Sequence, residues 1–176
     1  MTAVTIRAAA IKDISSIVRT RLAALTEEEN YGFSAPEFTI TYTSTKELRK
    51  AWNRGNRLKE GFEVFLAEDE GKMAGFIVFK TDLGCGYIEN IVVAEEKQGK
   101  GIGRALVMYV EGLAKSKGCH FMRTDTTENV GGVPWKSFGF WIKMGYEDVG
   151  ERLCTNHEFK EIPLSKSLKC ASILLP

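Results

Sequence analysis

Apolar and polar positions along this chain recur with two periods, one near 3.6 residues and one of 2. Val4 to Ala8 alternates and predicts a first strand. From Ile11 to Leu25 the apolar residues Ile11, Ile14, Ile17, Val18, Leu22 and Leu25 fall at helical spacing. Asp13 lies near the start of that helix, where a carboxylate suits the dipole. Glu27-Glu28-Glu29-Asn30 ends it or opens a loop, and Tyr31 to Thr45 shows no period. A second helix is predicted over Thr45 to Leu58, capped by Ser44 or Thr45 with Glu47 in its first turn. Glu63 to Glu68 and Met73 to Lys80 read as strands joined by the hairpin turn Asp69-Glu70-Gly71-Lys72. Gly86 to Val93 is a further long strand.

Gly103 to Lys117 carries the clearest helical stripe, Leu106, Val107, Val110, Leu113 and Ala114, and Lys117-Gly118 ends it. A strand follows over Cys119 to Asp125, then a short aromatic helix over Trp135 to Lys143 stopped by Gly145. Tyr146 to Leu153 and His157 to Ile162 are the last two strands, with residues 164–176 as a tail. Helices cross over between some strands and hairpins join others, so a mixed α/β sheet is expected.

A length of 176 residues suits a single domain over 1–176, with a core of about 4–163. The formal net charge of +1 argues against binding nucleic acid by bulk phosphate neutralisation. Cys85, Cys119, Cys154 and Cys170 form no CxxC pair and only His120 and His157 accompany them, so no metal site is expected. The N-terminus has no apolar run long enough for a signal peptide or a membrane span, and a cytoplasmic location is the default expectation. The apolar end Ile173-Leu174-Leu175-Pro176 would dock on its own domain or on a second copy, as in a homodimer.

The densest chemical signal joins the strand ending at Val93 to the long helix: Gln98-Gly99-Lys100-Gly101-Ile102-Gly103-Arg104. Three glycines in five residues permit a tight turn and close approach of a ligand. The helix start presents unpaired N–H groups and a positive dipole end, and Lys100 and Arg104 add charge. These parts suit a diphosphate. The pattern GxxxxGK[ST] is absent, and GxGxxG fails from both Gly99 and Gly101, which meet Arg104 and Leu106 at the sixth position.

Gln98 to Gly103 matches [Arg/Gln]-x-x-Gly-x-[Gly/Ala], and with the strand before it and the helix after it the segment resembles the GNAT superfamily of N-acetyltransferases. Phe140-Trp141-Ile142-Lys143-Met144-Gly145-Tyr146 resembles the same family's Phe/Leu-Tyr-x-Lys-x-Gly-Phe/Tyr segment. The resemblance runs from roughly Thr5 to Pro163. It implies a central, mostly antiparallel sheet of about seven strands, about four flanking helices, and a V-shaped splay between the fourth and fifth strands. It implies acetyl-CoA as cofactor and an amine, on a small molecule or a protein, as acceptor. The amides of Gln98 or Gly99 through Arg104 would bind the pyrophosphate, and the backbone of Ile91, Val92 and Val93 would pair with the pantetheine arm. The Val93 amide would polarise the thioester carbonyl.

Direct transfer to an amine needs a neutral nucleophile, so a base helps. Glu89 is the candidate, on the strand face shared by Tyr87, Ile91 and Val93; a sheet-surface glutamate with a partner is the plainer alternative. Tyr87 is a candidate substrate contact. The family's loop and second helix wall the acceptor site, which implicates Tyr31 and Phe33. Many relatives place a thiolate-protonating Tyr where this chain has Trp141, an indole that only donates. The acid is then Tyr146, Ser137, a water or nothing. The family's Asn before that position would fall on Pro134, and Asn129 keeps the cofactor contact if the loop around Gly131-Gly132 carries an insertion. Lys143, in the second motif, is a further cofactor candidate. Two readings stand: an N-acetyltransferase, and an acyl-CoA-binding module of the same fold with weak or no turnover.

Overall fold

The computed structural model describes residues 4–24, 62–154 and 159–168. Tyr31, Phe33 and the expected helix from Thr45 to Leu58 lie outside these residues. By its internal contacts the chain divides into two compact units: Met1–Lys80 with Asn90–Tyr109, and Thr81–Glu89 with Val110–Pro176. Strand β4 (Cys85–Val93) and helix α2 (Ile102–Ser116) contribute residues to both.

In the first unit β1 (Thr5–Ala8), β2 (Glu63–Asp69) and the greater part of β3 (Lys72–Asp82) pair antiparallel. The β2–β3 turn needs left-handed backbone at Glu70 and Gly71, with φ of 53° and 72°. That two-residue geometry matches the right-handed twist of the flanking strands. Every side chain from Ala74 to Phe79 is buried, so β3 is covered on both faces and reads as an unbroken apolar run. Gly75 is required where it stands: a Cβ would lie 2.6 Å from Val92 O. Helix α1 (Ile14–Ala24), entered through a 3-10 turn at Ile11–Asp13, buries Ile14, Ile17 and Val18. Arg7 ties this unit together. Its guanidinium donates to Asp13 Oδ2 at 2.7 Å, to Asp13 Oδ1 at 3.0 Å and to Glu68 Oε1 at 2.7 Å. The bond from Arg7 holds the Asp13 carboxyl below its usual range, and Asp13 also accepts from Ala10 N at 2.7 Å, which fixes the entry to α1.

In the second unit the start of β4 runs parallel to β5 (Phe121–Asn129), in register from Cys85↔Phe121 to Tyr87↔Arg123. One residue on, Ile88 O accepts a side-chain bond from Thr124 Oγ1 at 3.1 Å. Gly86 admits α2 and β5 together, since a Cβ there would collide with Met122 Sδ and lie 3.1 Å from Ala114 Cβ. β5 pairs antiparallel with β8 (Phe159–Ser167) along its whole length, from Phe121↔Ser167 to Asn129↔Phe159. Two short strands, β6 (Glu147–Asp148) and β7 (Leu153–Cys154), pair with the far side of β8, and α3 (Lys136–Lys143) precedes them. Lys166 is this unit's counterpart of Arg7: its ammonium donates to Glu111 Oε1 and Oε2 at 2.8 and 3.0 Å and to Met144 O at 2.8 Å.

Backbone pairing orders the strands β1-β2-β3-β4-β5-β8-β6, with β7 beside β8. This is the mixed, mostly antiparallel sheet expected, with one strand more than the expected seven and with three α-helices among the described residues. The extra strand has a local cause. The segment expected as one strand, Tyr146 to Leu153, breaks at Gly150, whose φ is 84°. Asp148 Oδ1 accepts from Gly150 N at 2.8 Å and closes that bend. The final strand runs on through Pro163 into the expected tail. Proline is tolerated because its carbonyl faces the bend and accepts from Val149 N at 3.2 Å, so no ladder position depends on its missing N–H. β5 likewise extends past Asp125, because its inward polar residues are satisfied: Thr126 Oγ1 lies 2.6 Å from Ser137 Oγ, and Glu128 meets Arg152 Nε at 3.2 Å.

Candidate functional site

In the first unit β4 ends at Val93, and Ala94 N donates to Ala74 O at 2.9 Å, which holds the exit from the strand. A 3-10 turn at Glu95–Lys97 follows. Lys97 pins this linker to the end of β2 through Asp69 Oδ2 at 2.7 Å. Gln98 is extended and its Nε2 donates back to Val93 O at 3.3 Å. The chain then turns on two glycines in the left-handed region, Gly99 with φ of 74° and Gly101 with φ of 82°. An L residue at either position would be strained by roughly 1–2 kcal/mol. Ile102 buries its side chain and anchors the start of α2. The first bond of the helical ladder runs from Ala105 N to Gly101 O at 2.9 Å, so the amides of Ile102, Gly103 and Arg104 precede that ladder. A Cβ on Gly99 or Gly101 would meet no protein atom within 4 Å. Gly99, Lys100, Gly101 and Arg104 are exposed. The loop thus combines aligned amides, a helix dipole, two cations and room above the backbone, a fit to a diphosphate.

In the second unit three strands bring together residues far apart in sequence. Tyr87 and Glu89 project from one face of β4. Tyr87 pairs with Arg123, which places Asp125 on the same face of β5, two residues further on. Thr127 follows on that face and pairs with Glu161 of β8. All four of Tyr87, Glu89, Asp125 and Glu161 are half-buried. Tyr87 OH donates to Asp125 Oδ2 at 2.6 Å. Burial and the neighbouring Glu89 push the Asp125 carboxyl above its usual range, although the Tyr87 bond opposes this. Burial, Asp125 and Glu89 raise Glu161, and burial with the nearby Asp125 raises the Tyr87 phenol. Sequence reasoning found Tyr87 and Glu89 but missed Asp125 and Glu161. No linear signal marks them; only the strand register does.

The remaining candidates fall as follows. Ile91 and Val93 are half-buried on the face of Glu89, and Val92 is buried on the other. Trp141 is a core side chain, 3% exposed, with its ring centroid 5.0 Å from both Phe140 and Tyr146. It packs α3 and has no exposed surface for chemistry. Asn129 Oδ1 accepts from Val133 N at 3.0 Å and shapes the turn before α3, so that oxygen has a structural role. Lys143 is exposed in the last turn of α3. Of the candidate acids, Ser137 shares its hydrogen bond with Thr126, and Tyr146 is enclosed in the core with Glu111 nearby. Burial raises the Tyr146 phenol. Among the described residues no cluster of three metal-ligating side chains occurs, and no helix is long and apolar enough to cross a membrane.

Residues 24–140 match the sequence model of the acetyltransferase (GNAT) family. The glucosamine 6-phosphate N-acetyltransferase of Trypanosoma brucei brucei is 36% identical over 61 residues, 35% of this chain and 37% of that enzyme. The match therefore spans little more than a third of that relative. Among solved structures, the PaiA N-acetyltransferase of Thermoplasma acidophilum in complex with coenzyme A superposes with a TM-score of 0.71 at 18% identity, over 94% of this chain and 99% of that one. The ribosomal-protein-S18-alanine N-acetyltransferase of Escherichia coli gives 0.67 at 17% identity, over 99% of each chain. At these identities the two structures speak to the fold alone.

Proposed function

The chain belongs to the acetyltransferase (GNAT) family, and we propose that it is an N-acetyltransferase that takes its acetyl group from acetyl-CoA and delivers it to a primary amine of a small molecule or a protein. The observation that carries this reading is the Gln98–Arg104 loop, with Gly99 and Gly101 at positive φ and the first-turn amides of α2 beyond them. In the proposal the amides from Gly99 through Arg104 receive the diphosphate, and Lys100 and Arg104 balance its charge. The backbone of Ile91, Val92 and Val93 aligns the pantetheine arm, and Val93 N–H donates to the thioester carbonyl.

Acetyl-CoA, when bound, supplies an activated acyl group on a thiol leaving group. Glu89 removes a proton from the acceptor, because an alkylammonium has no lone pair to attack with. No dedicated acid is assigned to the departing thiolate. Trp141 is in the core, the Tyr146 hydroxyl is enclosed, and a thiol pKa of about 8.5 makes the thiolate a tolerable leaving group unaided. The half-buried carboxylates near Glu89 favour a cationic amine over a neutral or anionic acceptor. The relatives' names mention an amino sugar phosphate and a protein alanine, so acceptor size stays open, and Tyr31 and Phe33 remain proposed contacts for it.

The test is thiol release from acetyl-CoA, followed with a panel of polyamines, amino sugars, aminoglycosides and peptide N-termini. At least one amine should raise release above the rate with acetyl-CoA alone, and mass spectrometry should find the acetyl group on its nitrogen. Tight coenzyme A binding without release for any amine would instead identify a binding module.

A further inference from the structure

On the face that carries Glu89, Tyr87 and Asp125 make a short polar contact, 2.6 Å from phenol oxygen to carboxylate Oδ2. A phenol has one proton and two lone pairs. Once that proton is committed, the oxygen can only accept. Resting on the acetyltransferase reading above, we propose that Asp125 is a positioning residue for the acceptor: by taking the Tyr87 proton it leaves the Tyr87 oxygen as an acceptor for an amine N–H.

The arrangement follows from the strands. Tyr87 is paired with Arg123, and Asp125 is the next residue of β5 on that face. The Tyr87 side chain reaches diagonally across this parallel pair to the Asp125 carboxylate. Tyr87 and Glu89 are two residues apart on β4 and share its face. An amine held by one N–H on the Tyr87 oxygen therefore has its remaining N–H bonds and its lone pair restricted in direction while Glu89 takes a proton. Asp125 needs only an acceptor oxygen for this role, and its charge is incidental. Burial and Glu89 from β4 raise the Asp125 carboxyl above its usual range, and Glu161 from β8, on the same face, is itself raised by burial and by Asp125.

The experiment is steady-state kinetics of the full chain with saturating acetyl-CoA and the best amine of the panel, with coenzyme A affinity measured in parallel. Tyr87→Phe and Asp125→Ala should each raise the amine KM about tenfold, with kcat changed less than about threefold and coenzyme A affinity unaltered. Asp125→Ala should add nothing in the Tyr87→Phe background. Asp125→Asn, which keeps an acceptor oxygen, should restore KM to within about threefold of the parent. The inference fails if Tyr87→Phe leaves KM unchanged, if the Asp125→Ala loss persists in the Tyr87→Phe background, or if Asn is no better than Ala. Tyr87→Phe decides the matter alone should Asp125→Ala fail to fold. A wild-type chain that acetylates no amine removes the acetyltransferase reading and this one with it. An active wild type with an unaffected Tyr87→Phe removes only this one.

Discussion

The glycine loop and the acidic face are built in opposite ways. From Gln98 to Arg104 the working parts are backbone amides, contiguous in sequence, and the side chains matter mainly by being absent at Gly99 and Gly101. Around Tyr87 the working parts are side chains, drawn from β4, β5 and β8, and Tyr87 and Asp125 are 38 residues apart. A backbone site tolerates exchange of its exposed side chains but not of its glycines. A side-chain site has the reverse tolerance, since one atom replaced in Glu89 removes its base and leaves the sheet intact. The two regions should therefore separate experimentally, the loop governing affinity for coenzyme A and the face governing what is done to the amine.

The strongest attempt to break this division is Gly101→Trp. It places a bulky side chain at a φ of 82° in the space above the loop amides. Loss of two charge-assisted bonds would weaken coenzyme A binding by roughly 100-fold, about 2.8 kcal/mol. Titration calorimetry with coenzyme A measures it, and circular dichroism should show the fold retained. Binding within a few-fold of the parent would remove the loop from the cofactor site. The complementary change is Glu89→Gln, which keeps the shape of the side chain and deletes the base. Here kcat should fall by about 100-fold with coenzyme A affinity unchanged, and the loss should shrink as the pH rises and more of the amine is neutral already. Equal effects of both substitutions on affinity would show that the division into a binding loop and a chemical face is wrong.

The two regions also differed in how far the sequence exposed them. The loop was legible because its meaning is local: glycines, a strand before and a helix after are read from a dozen consecutive residues. Helix α2 was legible for the same reason, its stripe of Leu106, Val107, Val110 and Ala114 being fully buried. Half of the face was legible, Tyr87 and Glu89, because alternation along one strand needs no partner. Asp125 and Glu161 were not, because which residues meet across strands depends on register, and register is set by pairing over the whole of β5 and β8. The end of β5 was misjudged through the same limit. Thr124, Thr126 and Glu128 point inward but are polar, and only their partners Ile88 O, Ser137 and Arg152 make that acceptable. β8 likewise runs past the expected end at Ile162, because the backbone of Pro163 faces the bend at Val149.

The smallest expected effect sharpens the comparison through stability. In the first unit the Arg7 bond holds the folded-state pKa of Asp13 below its unfolded value. That contribution is present above the ordinary carboxylate range and is lost as the pH falls through the depressed pKa. In the second unit Asp125 and Glu161 are raised, chiefly by burial. The sign is reversed: the folded state holds these protons more tightly than the unfolded state, so stability declines as the pH rises through their raised pKa values. Asp125→Asn removes one of these charges and keeps an oxygen for the Tyr87 proton. It should raise Tm at pH 7 by a few degrees, the scale of about 1 kcal/mol in a domain of this size. The gain should vanish near pH 3, where the parent carboxyl is protonated in both states. Asp13→Asn should do the opposite, lowering Tm at pH 7 and converging with the parent only in strong acid. Thermal melts of both variants across this range test the pair of signs. A destabilised Asp125→Asn at pH 7 would mean that the carboxylate supports the sheet and that the sign argued for the second unit is wrong.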